Sequence, residues 1–169
     1  AKDAARFALC LTNHKGMVTA WKTYAAENDN KMVGGEAYAR RSSGTVPQSK
    51  YSDWALAPVV ESGNRLEYYF GGSDEEKLEN ELRGIRKGAL YPYLETTEIY
   101  HCPADRRSKD STPGKPPSFR SYSITAQMNG EPYYRKQAIS ATKETQIIQP
   151  DSRFVFIDDF DSRGFNMGS

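Results

Sequence analysis

Three aspartates near the end of the sequence are the clearest candidates for binding a metal ion. Asp158, Asp159 and Asp161 follow a short apolar run, and Gly164 comes soon after them. Carboxylate oxygens are the hard ligands that Ca²⁺ prefers, so the group is a candidate calcium site. Its spacing differs from that of an EF-hand loop, in which ligands occupy alternate positions and a Glu closes the loop. A solvated strand end is the simpler interpretation of the same residues.

The histidines and cysteines form no recognisable catalytic or zinc motif. His101 adjoins Cys102, but neighbours in a strand point to opposite faces of the sheet. The sequence also lacks a Gly-x-Ser-x-Gly elbow and a phosphate-binding glycine loop, so we expect no enzymatic activity. His14 is expected to be packed and hydrogen-bonded, not to be a ligand. Cys10 and Cys102 are compatible with one disulfide or with two buried thiols.

Composition restricts the classes of partner. The 169 residues carry 23 basic and 22 acidic side chains, a net charge of +1, so nothing indicates nucleic-acid binding through phosphate contacts. No run of about 18 apolar residues indicates a membrane span. The 11 tyrosines and 2 tryptophans either cover a thin core, which we favour, or form a flat platform for carbohydrate. The length suits a single domain over residues 1–169.

A long N-terminal helix must position many of these side chains. Residues 3–27 contain no proline, and apolar side chains recur every three or four positions, which predicts an amphipathic helix. The polar run 28–30 and the following glycines predict its end. The stripe expected to pack on the rest of the protein is Phe7, Cys10, His14, Met17, Trp21 and Tyr24. The residues expected to widen this stripe are Leu11, Val18 and Ala25.

The remaining elements are predicted to be one helix and several short strands. A second helix is predicted over residues 74–87, because Ser73 and Glu76 form a capping box and Gly88 can end the helix. Its predicted buried stripe is Leu78, Leu82 and Ile85. The predicted strands are 65–70, 98–102, 119–125 and 153–157. This content predicts an α+β fold.

Five local patterns together resemble one protein family. They are Cys10-Leu-Thr-Asn-His-Lys15, Trp21-x-x-Tyr24-x-x-Glu27-Asn-Asp-Asn30, Gly88-Ala-Leu-Tyr-Pro-Tyr-Leu94, Tyr100-His-Cys-Pro-Ala-Asp105 and Pro150-Asp-Ser-Arg-Phe-Val-Phe-Ile-Asp158. In this order they resemble pseudopilin-like proteins that carry a prepilin-type cleavage and methylation segment. The resemblance is greatest to the branch that ends in a His-x9-Asp-Gly signature, which these residues do not contain. It covers residues 3–30 and 88–158.

The resemblance implies a pilin-like fold, in which a long N-terminal helix packs on a small, mostly antiparallel sheet with one additional helix. Residues 1–29 would be the C-terminal half of the spine helix, and 30–169 would be the sheet, second helix and loops. An apolar half of that helix would precede them, be cut by a prepilin peptidase and lie in the inner membrane. The head would then face the periplasm or the cell exterior. In this architecture a Cys10–Cys102 disulfide is expected.

The implied function is structural. The chain would be a non-enzymatic subunit of a type II secretion pseudopilus or a type IV pilus-like filament, and the stripe on the first helix would serve packing and assembly. Its partners would be other pilin-like subunits, inner-membrane components of the secretion system and the inner membrane itself. No cofactor is implied apart from the candidate calcium ion. The alternative is an extracytoplasmic cell-surface binding module, for polysaccharide or protein, on the same scaffold.

Overall fold

The computed structural model describes residues 2–35, 37, 53–62, 72–107, 118–125, 128–129 and 141–159. These residues form three helices and two short strands. The elements are α1 (Lys2–Glu27), α2 (Asp74–Arg86), α3 (Tyr91–Leu94), β1 (Tyr122–Ile124) and β2 (Phe156–Asp158), with 3₁₀ turns at Glu98–Tyr100, Glu144–Gln146 and Pro150–Ser152. A long N-terminal helix with a small sheet is compatible with the predicted α+β class.

The sheet is an antiparallel pair, β1 with β2, in which Ser123 lies opposite Ile157. Both strands are shorter than the predicted 119–125 and 153–157. The second starts late because the Arg153 N–H donates to the Pro150 carbonyl at 3.2 Å, which keeps the chain in a turn. Single bridges link further segments at 31 with 143, 34 with 53 and 128 with 141. The predicted strand at 65–70 lies outside the described residues.

The predicted strand at 98–102 is wrong, because residues Glu98–Tyr100 form a 3₁₀ turn. The local threonines explain the difference. The Thr96 hydroxyl accepts from the Glu98 N–H at 3.2 Å, and the Thr97 carbonyl accepts from the Tyr100 N–H at 3.0 Å. The N–H groups of Glu98 and Tyr100 are thereby committed to local hydrogen bonds, although the Tyr100 carbonyl accepts from the Ser121 N–H at 2.9 Å.

Aromatic rings fill the core between α1, α2 and the segment 53–59. Trp54 is fully buried, stacks on Tyr100 at 5.7 Å between ring centroids and meets Phe156 edge-on at 5.5 Å. Trp21 brings α1 into the same cluster. Both tryptophans are buried, so neither presents a flat face to a carbohydrate.

The ends of the two long helices are set by different residues. α1 ends where predicted, because Asp29 and Asn30 adopt left-handed backbone angles, φ 55° and 60°. At the start of α2, the Ser73 hydroxyl accepts from the Glu76 N–H at 3.2 Å, which confirms the predicted N-cap. The predicted helix 74–87 ends one residue early at Arg86, and Gly88, predicted to end it, does not have a left-handed φ. Its position instead needs a small residue, since a Cβ there would lie 2.6 Å from the Ala55 Cα.

Candidate functional site

The first turns of α1 extend beyond the residues that cover the rest of the helix. Cys10, Met17 and Trp21 are buried as predicted, and His14 and Tyr24 are half-buried. From residue 3 to residue 9, no side chain is buried. The prediction that Phe7 and Leu11 pack on the head is therefore wrong: Phe7 is 66% exposed and Leu11 is 48% exposed. The apolar stripe continues along the helix, but the elements that cover it begin beside Cys10.

A disulfide fixes α1 at the point where it meets the rest of the protein. Cys10 is bonded to Cys102, with the Cα atoms 5.3 Å apart, as the resemblance implied. One turn later, the Asn13 amide donates to the His101 carbonyl at 2.9 Å. Because Trp21 is also buried, α1 is held covalently at one turn and by packing at later turns.

His14 packs between α1 and the two strands. Its ring meets Tyr122 edge-on, with 4.5 Å between centroids. Its Nε2 lies 3.8 Å from the Asp158 carboxylate. The predicted packing of His14 is confirmed, whereas the 3.8 Å to Asp158 is longer than the hydrogen bond that was also predicted.

The three aspartates of the candidate calcium site are not brought together by the described residues. Asp158 lies beside His14, whereas Asp159 accepts a hydrogen bond from the Ser123 hydroxyl at 2.8 Å. Asp161 lies outside the described residues. Within the described ranges, no group of three or more His, Cys, Asp or Glu side chains is arranged to hold a metal ion.

A serine, a histidine and an aspartate do meet, but their connections differ from those of a catalytic triad. The Ser121 hydroxyl donates to Asp105 at 2.7 Å and accepts from the Cys102 N–H at 2.9 Å. His101 Nδ1 lies 2.7 Å from the Phe119 carbonyl, which can only accept, so we assign the proton to Nδ1. That nitrogen cannot take a proton from Ser121. In a triad the histidine takes the serine proton and the aspartate binds the histidine.

Asp105 belongs to a structural ion pair. The Arg107 guanidinium donates to both of its carboxylate oxygens, at 3.0 and 2.6 Å, and also to the Asp159 carbonyl at 3.0 Å. Burial acts to raise the pKa of Asp105, but the hydrogen bonds from Arg107 and Ser121 outweigh it and hold that pKa below its ordinary value. The pair connects the 102–107 segment to the residues just before β1 and just after β2.

Glu81, which was not predicted to be buried, is 2% exposed on the buried side of α2. Its carboxylate accepts the backbone N–H groups of Phe119 at 2.9 Å and Arg120 at 2.8 Å. Burial raises the pKa of Glu81 to about 7, although these hydrogen bonds and the nearby arginines oppose the rise. The Arg120 guanidinium is itself buried and lies 4.9 Å from the centre of a Trp54 ring.

The predicted buried stripe of α2 is confirmed at Ile85, but the buried face of the helix lies about one residue away from Leu78 and Leu82. Leu78 and Leu82 are only half-buried, whereas Asn80, Glu81, Gly84 and Ile85 are buried. A signal was present, because Glu81 precedes Ile85 by four residues and so shares its face of the helix.

A cleft of about 1340 Å³ lies between the first half of α1 and the 96–107 segment. Leu9, Ile99 and Phe119 give it apolar walls, and Arg6 and Arg106 also line it. Phe119 is held in place by three contacts: its N–H donates to Glu81, its carbonyl binds His101, and its ring stacks on that of His101 at 5.0 Å. The cleft therefore has a fixed aromatic wall.

Comparisons with known proteins do not identify the chain. In the part of the chain that the structure describes, no helix is both long and apolar enough to span a bilayer. No protein-family model, no curated protein and no solved structure matches the sequence.

Proposed function

We propose that this chain is part of a pilin-like structural subunit of a type II secretion pseudopilus or a type IV pilus-like filament. It would comprise the globular head and the C-terminal half of the spine helix. The observation that carries the proposal is the exposed, apolar start of α1. Phe7, Leu9 and Leu11 are 66%, 53% and 48% exposed, and alanines occupy the nearby positions 4, 5 and 8. An apolar helical segment without cover is typical of a surface that another molecule buries.

The way the helix is fixed also supports an assembling subunit. The Cys10–Cys102 bond sets where α1 leaves the head, so the exposed segment projects from a defined point. Disulfides persist outside the cytoplasm, which agrees with a periplasmic or extracytoplasmic head on an inner-membrane anchor. The partners would be other pilin-like subunits and inner-membrane components of the secretion system, not nucleic acid.

The arrangement of polar groups favours assembly over turnover. Ser121 and Asp105 are hydrogen-bonded to each other, and each also accepts from a neighbouring backbone N–H, that of Cys102 and that of Arg107 respectively. His101 uses one ring nitrogen on a carbonyl. We therefore propose that the protein acts through its surfaces and carries out no reaction.

The test uses the whole gene product, including any residues encoded before Ala1. It is expressed with and without a prepilin peptidase, and the mature N-terminus is identified by mass spectrometry. We expect peptidase-dependent cleavage and recovery of the protein in sheared filaments. Phe7→Asp and Leu11→Asp should abolish recovery in filaments, whereas Thr19→Asp, at an exposed site on the same helix, should not. An unprocessed protein, or recovery in filaments unaffected by the first two changes, would contradict the proposal.

A further inference from the structure

Two solvent-exposed surfaces lie on opposite sides of α1. The first, here called the apolar patch, consists of Ala4, Phe7, Ala8 and Leu11, all of which are exposed. The second is the cleft, to which α1 contributes Leu9. Because each residue turns an α-helix by about 100°, Leu9 is rotated by about 200° from both Phe7 and Leu11. The patch and the cleft therefore face in nearly opposite directions and do not overlap.

The size and lining of the cleft are better suited to a group of side chains from another protein molecule than to a small-molecule ligand. Its volume of about 1340 Å³ exceeds the ~300–1,000 Å³ of typical small-ligand pockets. Its walls combine the aliphatic side chains of Leu9 and Ile99 with the fixed ring of Phe119. An incoming Phe and Leu, one helical turn apart, would meet apolar surface there.

The charges near the two surfaces are complementary. Asp3 precedes Phe7 by four residues and so lies beside the patch on the same helix. Its side chain is 97% exposed and lies 3.4 Å from Arg6 of its own chain, an exposed ion pair that is weak enough to exchange for another. The cleft carries Arg6, Arg106 and Arg107 against Glu98 and Asp105, which gives 3 − 2 = +1. Arg106 is exposed, whereas Arg107 is committed to Asp105. An Asp3 from outside would therefore find an exposed guanidinium at the cleft.

We infer that the apolar patch of one copy docks into the cleft of a second copy of this chain, head to tail, with Asp3 of the first copy near Arg106 of the second. The inference rests on the proposed function and names the contact that would join neighbouring subunits. A contact between two different surfaces is not a two-fold dimer contact, and because these two surfaces face in nearly opposite directions, we expect its repetition to extend into a filament instead of closing into a ring.

The area involved predicts how strong the contact is. The exposed parts of Phe7 and Leu11 amount to roughly 200 Å², against the ~800 Å² per partner of a standard stable interface. One such contact is weak alone. It contributes to a filament because every subunit makes it twice, once with each surface.

The 169-residue chain provides the test. Photoreactive benzoylphenylalanine replaces Phe7, and in a matched control it replaces Thr19. At about 1 mM protein, where weak contacts are populated, position 7 should give ladders of cross-linked multimers. Peptide mapping should place the attachment near Ile99 or Phe119 of another copy. Position 19 should give no ladder.

Charge exchange tests the pairing independently. Arg106→Glu should lower the ladder yield from position 7 about fivefold, and adding Asp3→Arg to the same chain should restore it. Any one of three results would overturn the inference. They are attachment to the patch of another copy, no intermolecular product at this concentration, and no restoration of the yield by Asp3→Arg. If full-length protein enters filaments while these cross-links are absent, only this contact is wrong. If the cross-links form but full-length protein is never processed or assembled, the proposed function is wrong instead.

Discussion

The buried carboxyl group of Glu81 should make the stability of the protein depend on pH. In the fold, burial raises its pKa from an ordinary 4.5 to about 7, against the opposing hydrogen bonds from the Arg120 and Phe119 N–H groups. Because the folded pKa lies above the unfolded one, the folded state binds this proton more tightly. The contribution to stability is therefore complete below pH 4.5 and is lost as the pH rises through 7.

The size of the effect follows from the two pKa values. Each pKa unit is worth about 1.4 kcal/mol, so the step from 4.5 to about 7 corresponds to about 3 kcal/mol. Glu81→Gln removes the titrating group and keeps a carbonyl acceptor of the same shape. The free energy of unfolding of the wild type, minus that of the variant, should fall by about 3 kcal/mol between pH 4.5 and 8.

Urea unfolding followed by tryptophan fluorescence measures this difference, since Trp54 and Trp21 are both buried. Because the two proteins share all their other titrating groups, the contributions of those groups to the free energy of unfolding cancel when the two are compared at the same pH. Glu79→Gln is the control, because Glu79 lies on the exposed side of the same helix in a surface ion pair with Arg86. A wild-type-minus-variant difference that stays constant, or rises with pH, would refute the assignment of Glu81 as a buried titrating group.

Three further outcomes are expected. Trp21→Ala should lower the free energy of unfolding by about 3–5 kcal/mol, because a large buried ring leaves a cavity, while exposed Lys22→Ala should change it little; thermal melts within a degree of each other would contradict this. Reducing the Cys10–Cys102 bond should cost about 4–5 kcal/mol in urea titrations, through the long loop that it closes, and unchanged midpoints with and without reductant would contradict it. Gly84→Ala should lower the free energy of unfolding by about 1–3 kcal/mol, although alanine has the better helix propensity. The reason is that its Cβ would lie 2.8 Å from the Leu56 carbonyl oxygen. A raised melting temperature would contradict this, because it would show that the backbone around Leu56 can shift.

Periodicity predicted α1 well, because the helix is long and its stripe is repeated many times. It could not predict that Phe7 and Leu11 are exposed, since a stripe identifies a face of the helix and not where the covering elements begin. The disulfide was expected from the resemblance, whereas the cysteines alone left two free thiols equally open. The strands were overestimated, because short apolar runs such as 98–102 do not distinguish a strand from a turn.

Glu81 was missed for a different reason. A glutamate on a helix is usually solvated, and Leu78 and Leu82 offered a more conventional buried stripe. The backbone groups that hold Glu81 belong to Phe119 and Arg120, almost forty residues away, and no local pattern records them. Long-range polar pairing of this kind becomes visible only in the fold.

The position of the disulfide determines how the molecule responds to mechanical tension. A pull directed along α1 from its N-terminal end reaches Cys10 first and passes through the covalent bond to Cys102. The turns of α1 beyond Cys10 are thereby shielded, and so is their packing through Trp21. In the reduced protein the same pull would act on non-covalent contacts alone, and the helix would peel away one turn at a time. The disulfide thus makes α1 and the rest of the protein move together as one rigid body when the helix is pulled.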